Sequence, residues 1–392
     1  MKKIIITASY GGANFGDEAI LESIIKMIYG VGSEFKITVL AWDKNKVAKL
    51  HKFFFKQYKI SIAQAVGGKF QLKQPFNYLA ILKSFYLILN CDYFIWGGGG
   101  IINDEGFYLP RYLISLRLAR FFKKKIFIFA IGAKMISDSR YLKIIQRCFN
   151  YADIISVRDE QSKKNLIMMR VNKKIEVLPD PVFLLNQANF NQNGVEGTCK
   201  IGINLRPWFN RVIHKNEDRY KLKVAIKNLA RVFVQLKQEK IDFMLYAFPF
   251  DSDKDEMTIE ILNGMLPPDL KINFMDRPSD LDELNKKLKK IDIFVGMRLH
   301  SIIFAFNAGK PFFIISYTEK TKNLIKILDW EDFSIDIESL ASPEFNPGIL
   351  ANKFKILISD RNKFINILSV KRQQILVAAG NYSILIKKFI YG

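Results

Sequence analysis

Short β-rich apolar runs alternate with longer stretches of helical period along this chain, and the alternation stops once and then restarts. KKIIITAS, FKITVLAW, CDYFIWGGGG, KKIFIFAIGA, IISV and KIEVLPDPVFLL read as strands. EAILESIIKMIYG, PRYLISLRLARFFK and the stretch that follows Arg158 read as helices between them. Strands that alternate with helices give a parallel sheet with helices on both faces. In such sheets the functional loops lie at the carboxyl ends of the strands. Gly11 to Asp17, Gly97 to Asp104, Gly132 and Arg158 all fall there, so four strand ends are expected on one rim.

The polar stretch LLNQANFNQNGVEGTCK breaks the pattern and reads as a linker. Beyond it KIGINLRPW, DFMLYAFPF, KINFMD, IDIFVGM and PFFIISY are strands, again separated by helical segments. At 392 residues the chain is too long for one ordinary core and suits two domains. The expected division is residues 1–186, a linker at 187–198, a second domain at 199–360 and a C-terminal helical segment at 361–392 that packs back on the first. The expected fold class is α/β: two doubly wound, Rossmann-like domains facing across a cleft, the arrangement called GT-B. Fold alone supplies no reaction.

Charge bears on partners. Sixty Lys and Arg against 38 Asp and Glu give a net charge of +22, which calls for an anionic partner or follows from a Lys-rich composition. Cys91, Cys148 and Cys199 are far apart and match no disulfide or zinc pattern, so a reducing cytoplasm is expected and no metal. MKKIIITASYGG runs into polar residues with no cleavage site and reads as a first strand. No uninterrupted apolar run reaches about 18 residues, the length of a membrane span. KNKVAKLHKFFFKQYKI mixes lysines with aromatics; it is either a solvated helix with an apolar inner face or a peripheral contact with an anionic membrane. No nucleic-acid-binding motif is present.

Two segments carry the chemistry. The first is GGANFGDEA, residues 11 to 19. Its Gly11-x4-Gly16 spacing is that of a phosphate loop, but Asp17 and Glu18 stand where Lys and Ser or Thr would reach phosphate and magnesium, which excludes a P-loop ATPase. Asp17 is then either the N-cap of the next helix, with Glu18 a first-turn acid, or a group acting on hydroxyls. Gly97 to Gly100 permit close backbone approach to a ligand, or simply a tight turn. Arg158 is either a site residue or the partner of a carboxylate.

The second segment is GMRLHSIIFAFNAGKPFFIISYTEK, residues 296 to 320. Arg298 and His300 stand at the mouth of a helix that follows a strand, where free N–H groups and the helix dipole hold anions. Lys320 follows the next strand, and Arg206 in NLRPW follows the first strand of this domain. Three cations and a histidine are therefore expected at neighbouring strand ends. His51 and His214 lie in Lys-rich stretches and lack that setting.

GGANFGDEAIL, WGGGGIIND, SVRDEQSKKNL, LPDPVF, INLRPW and GMRLHSIIFAFNAGKPFFIISYTEK, in that order, resemble the polysaccharide pyruvyl transferase family. One departure is AIGAKMI, where such proteins usually carry a more glycine-rich stretch such as GQG. The resemblance implies an enzyme that transfers a pyruvyl group from phosphoenolpyruvate to two hydroxyls of a sugar in a bacterial surface polysaccharide, such as a capsule or exopolysaccharide, or its lipid-linked precursor. It maps the donor site to Arg206, Arg298, Leu299, His300 and Lys320, and the acidic residue of the glycine loop to Asp17. His300, Asp17 and Arg298 are the expected catalytic residues. Arg158, Asn14, Gly16, Gly98 and Gly99 are expected to complete the substrate contacts. No redox cofactor is called for. A glycosyltransferase using a nucleotide sugar is the alternative, with Glu319 as the candidate contact to the ribose.

Overall fold

The computed structural model describes residues 1–12, 14–66, 76–103, 109–185, 197–207, 215–250 and 253–392. The chain forms two compact units, Met1–Leu185 with Ile375–Gly392, and Asn186–Gln374. The expected linker at 187–198 lies outside the described residues apart from Gly197 and Thr198.

The first unit begins with β1 (Lys2–Thr7), α1 (Phe15–Val31), β2 (Phe35–Ala41), α2 (Lys44–Leu50), α3 (Lys52–Gln57) and β3 (Ser61–Gln64). It continues with α4 (Phe76–Leu89), β4 (Tyr93–Ile102), α5 (Leu109–Phe121), β5 (Lys125–Ala133) and α6 (Ser139–Tyr151). β6 (Ile154–Val157), α7 (Glu160–Met168) and β7 (Ile175–Val177) complete the alternation. All seven strands are parallel, in the order β3-β2-β1-β4-β5-β6-β7. The central strands are buried on both faces, which is why Ile4–Ile6 and Phe94–Trp96 read as unbroken apolar runs.

The second unit contains β8 (Cys199–Asn204), α8 (Lys215–Gln238), β9 (Phe243–Ala247), α9 (Asp253–Met265), β10 (Asn273–Phe274) and α10 (Leu281–Lys289). β11 (Ile293–Gly296), α11 (Leu299–Asn307), β12 (Phe312–Ser316), α12 (Glu319–Leu328) and β13 (Ser334–Asp336) follow. Three helices close the chain: α13 (Ile337–Leu340), α14 (Pro347–Ser359) and α15 (Arg361–Tyr391). This sheet is also parallel, ordered β10-β9-β8-β11-β12-β13. Numbered within its own unit, each sheet contains the order 3-2-1-4-5-6, extended by a seventh strand in the first, the doubly wound order in which ligands bind where the strand order reverses.

The start of α15 belongs to the second unit, where Phe364 packs on Trp330 and Phe333. Its end belongs to the first, where Phe389 meets Tyr93 at 5.3 Å and Tyr382 meets Phe129 at 4.8 Å between ring centroids. Tyr93 Oη and Lys2 Nζ donate to the Ile390 carbonyl at 2.7 and 2.8 Å, tying the last turn to the first sheet.

Three local expectations change. The run KIEVLPDPVFLL is a strand only over Ile175–Val177, because Pro179 and Pro181 have no N–H to offer a ladder; a 3₁₀ turn at Pro181–Leu184 follows. Gly97 to Gly100 do not end a strand. They lie inside β4, with φ of 133°, 95° and 86° at the first three. KNKVAKLHKFFFKQYKI forms α2 and α3, with Val47, His51 and Phe55 buried at a spacing of four, so its apolar side faces the protein.

Candidate functional site

In the first unit β1, β4, β5 and β6 are neighbours, so their carboxyl ends form one continuous rim. The glycine loop after β1 sits at the reversal of strand order between β1 and β4. Asn14, not Asp17, caps α1: its Oδ1 accepts from Gly16 N at 3.0 Å. That leaves Asp17 in the first turn without a capping task. Asn14 Nδ2 donates to Asp17 Oδ2 at 3.3 Å, and both residues are half-buried.

Glu18 answers why a loop shaped for an anion contains carboxylates. Its Oε1 accepts from Gly11 N at 2.6 Å, so the loop's N–H is taken by the chain's own anion. Its other oxygen, Oε2, lies 2.9 Å from His51 Nε2, and His51 Nδ1 lies 2.9 Å from Glu22 Oε1. His51 and Glu18 are each 1% exposed. Burial lowers the imidazole pKa, but the hydrogen bonds and charges of Glu18 and Glu22 outweigh it and raise it from 6.5 to about 9. His51 is thus an imidazolium between two carboxylates at neutral pH. Its setting was hidden because the lysines around it point outward from α2 and α3; the apolar spacing Val47-His51-Phe55 is the signal that would have found it.

The glycine run is shaped by α1. A Cβ on Gly98 would lie 2.4 Å from Ile20 Cγ2, and one on Gly99 would lie 2.5 Å from Asp17 Oδ1. Glycine is therefore required for the first turns of α1 to lie directly against β4, with the Asp17 carboxylate over Gly99. Tyr10 Oη donates to the Gly97 carbonyl at 2.9 Å. Its burial, then the charges of Asp17 and Glu18, push the phenol pKa well up. Gly98 and Gly99 thus serve the seating of Asp17, and Gly16 is a buried residue of the first turn.

Arg158 has its carboxylate partner. Its Nη1 donates to Asp180 Oδ2 at 3.0 Å, with the side chains 5% and 6% exposed, and its guanidinium lies over Gly132. SVRDE and LPDPVF are therefore two halves of one buried ion pair. Asp159 caps α7, accepting from Ser162 N at 2.7 Å. Further along the rim, Ser9 Oγ and Tyr112 Oη are 2.9 Å apart, Tyr112 packs on Trp42 at 5.8 Å, and Arg111 stands 5.4 Å from the Trp42 ring.

In the second unit β8, β11 and β12 are neighbours, with Asn204 and Ile314 both in register with Gly296. Arg206, Arg298 and Lys320 follow these three strand ends, and the first two flank the reversal of strand order. Arg206 Nη1 donates to Tyr317 Oη at 2.8 Å, and the guanidinium stacks on the Tyr317 ring at 5.0 Å. Arg206 Nε and Asn204 Oδ1 are buried with no hydrogen-bond partner among the described residues. Lys320 lies half-buried in the first turn of α12, the end of a helix that disfavours a cation.

Arg298 is the N-cap of α11 and pairs side-on with Asp255: Nε to Oδ2 at 2.8 Å and Nη2 to Oδ1 at 2.7 Å. Asp255 is fully buried, whereas Arg298 is 16% exposed, so the carboxylate holds the guanidinium from the protein side. Asp255 comes from α9, 43 positions before Arg298, and nothing local in the sequence links the two. Leu299 and His300 are the first two residues of α11; Leu299 is half-buried and His300 is 9% exposed. Ser301 Oγ closes the turn on the Arg298 carbonyl at 2.8 Å.

The three cysteines are buried, which pushes the thiols of Cys91 and Cys199 up to about 12 and Cys148 to about 11. Among the described residues no group of three His, Cys, Asp or Glu side chains is placed to hold a metal ion. No described helix is long and apolar enough to cross a membrane.

The family described as polysaccharide pyruvyl transferase matches residues 14–319. No curated protein matches the sequence. Among solved structures, UDP-GlcNAc 2-epimerase from Neisseria meningitidis bound to UDP-GlcNAc is similar at a TM-score of 0.61 and 10% identity, over 100% of this chain and 99% of that one. Anabaena HepE in complex with UDP and glucose is similar at 0.60 and 12% identity, over 99% and 98%. UDP-GlcNAc 2-epimerase from Methanocaldococcus jannaschii is similar at 0.57 and 13%, over 91% and 93%. At these identities the likeness is one of fold, and that fold is GT-B-like, built of two Rossmann-like domains.

Proposed function

This chain belongs to the polysaccharide pyruvyl transferase family, and we propose that its donor is phosphoenolpyruvate and its product a pyruvate ketal on two hydroxyls of a saccharide. The observation that carries the donor assignment is the set of Arg206, Arg298 and Lys320 on three adjacent strand ends at the reversal of strand order in the second unit. Phosphoenolpyruvate carries a carboxylate and a phosphate on three carbons and needs several cations close together. The buried Arg206 Nε and the placement of Lys320 against the dipole preference of α12 are costs that an anionic ligand would offset.

The chemistry requires a proton on the methylene carbon, which gives the adjacent carbon oxocarbenium character. One hydroxyl adds there, phosphate leaves with the C–O bond pair, and the second hydroxyl closes the ring. One hydroxyl proton replaces the proton given to the methylene, and the other leaves with phosphate, so no electron carrier is needed. We assign the proton delivery, or the stabilisation of departing phosphate, to His300 on the first turn of α11. Arg298, oriented by Asp255, binds the donor beside it. Asp17, seated over Gly99 and released from capping by Asn14, is assigned to orienting or deprotonating an acceptor hydroxyl. Asn14, Leu299, Gly16, Gly98 and Gly99 support these groups, and Arg158 acts through its pair with Asp180 rather than on substrate.

Mass spectrometry of candidate saccharides incubated with phosphoenolpyruvate tests the reaction, with the pyruvyl ketal mass gain and equimolar phosphate as the expected result. Transfer of a sugar from a nucleotide donor is the second reading, favoured by the UDP-containing ligands in the similar structures. Glu319, its candidate ribose contact, is 77% exposed and lies 3.8 Å from Lys322. Stabilisation of the protein by UDP-sugars but not by phosphoenolpyruvate in thermal unfolding would establish that reading instead.

A further inference from the structure

Surface helices of a soluble unit normally turn polar side chains outward. α4 does the reverse. Leu79, Leu82, Tyr86 and Leu89 follow one another at spacings of three and four and so share a face. They are 64%, 64%, 65% and 47% exposed. The opposite face seats the helix on the sheet edge: Ser84 and Ile88 are fully buried, and the Ser84 hydroxyl donates to the Gln64 carbonyl at the end of β3. The outward face is thus fixed outward by the packing of the inward one.

The apolar surface continues onto the end of α5. Phe85 meets Phe122 edge-on at 5.3 Å, Phe122 meets Phe121 at 5.4 Å, and Phe121 is 77% exposed. Lys83, Arg117, Arg120 and Lys123 are exposed around it. α4 and α5 themselves carry four basic residues and no acidic one, and Lys123, Lys124 and Lys125 follow; the exposed Asp92 lies just past α4. An apolar patch with this excess of cations is complementary to acyl chains beneath anionic headgroups.

We propose that α4 and the end of α5 are a docking surface for an anionic lipid bilayer, with the leucines, Tyr86 and Phe121 entering the headgroup–acyl boundary and the arginines and lysines at the lipid phosphates. This is a different surface from α2 and α3, whose apolar side faces inward. The assignment stands independently of the transfer reaction.

The test is flotation of the full-length protein with vesicles of phosphatidylcholine alone or mixed with phosphatidylglycerol. The wild type should float with the mixed vesicles, less at high salt, and not with phosphatidylcholine alone. Leu82→Ser with Tyr86→Ser, both on the exposed face, should weaken binding at least tenfold, and Arg120→Gln about fivefold, with thermal unfolding unchanged. Phosphate release with a water-soluble acceptor should be the same in these variants, which separates the docking surface from the site. Absence of flotation, equal flotation of wild type and variants, or a dimer abolished by Leu82→Ser and Tyr86→Ser without any vesicle binding would each overturn the proposal.

Discussion

Glu18 and His51 form a charged contact that holds the glycine loop closed on its own carboxylate. Because the folded pKa of His51 is raised, to about 9 from 6.5, its contribution to stability is fully present below pH 6.5 and is lost as pH rises through 9. Thermal unfolding of the wild type should therefore move to lower temperature between those limits. His51→Gln should remove that component of the pH dependence and cost about 3–5 kcal/mol near neutrality, since Glu18 stays buried without its counter-charge. Asp17 makes a different prediction. Asn14 holds the cap, so Asp17→Asn should leave the unfolding temperature nearly unchanged while turnover falls about 10²–10⁴-fold. The sequence showed Asp17 and Glu18 as a pair of acids; it could not show that one faces the loop interior, because the partner lies 33 positions away, between two helices rich in lysine.

Elements meet where residues are missing. The glycine run of β4 is legible as a signal of close approach, but what approaches is α1, and that depends on how a helix packs across the sheet. Gly98→Ala would place a methyl group against Ile20 at a backbone angle of +95°, and should destabilise by about 1–3 kcal/mol as measured by chemical unfolding. Gly99→Ala would push on the Asp17 carboxylate, so its turnover should fall by more than its stability. In the second unit the strand ends that carry Arg206, Arg298 and Lys320 were readable, because each cation follows an apolar run that ends in a loop. Asp255 was not, since its contact joins α9 to the mouth of α11 through the fold alone. Asp255→Asn should lower affinity for the donor and disturb the orientation of Arg298, a rise in KM being the readout, with kcat less affected.

At the scale of the whole molecule, the alternation of strands and helices was enough to give two parallel sheets, and both have the doubly wound order. Strand order itself is not written in any single segment. It follows from which strands pair: the chain builds outward from the first strand on one side and then returns to its other side, which places β1 beside β4 and β8 beside β11. That placement is what gathers Asp17 with the glycine run in one unit and the three cations in the other. Whether the cations of the second unit bind phosphoenolpyruvate is measured by calorimetric titration of the wild type and Arg206→Gln with phosphoenolpyruvate and with a UDP-sugar. The wild type should bind phosphoenolpyruvate saturably, and Arg206→Gln at least tenfold more weakly. Binding of the UDP-sugar with no binding of phosphoenolpyruvate, or equal phosphoenolpyruvate affinity in both proteins, would overturn the donor assignment.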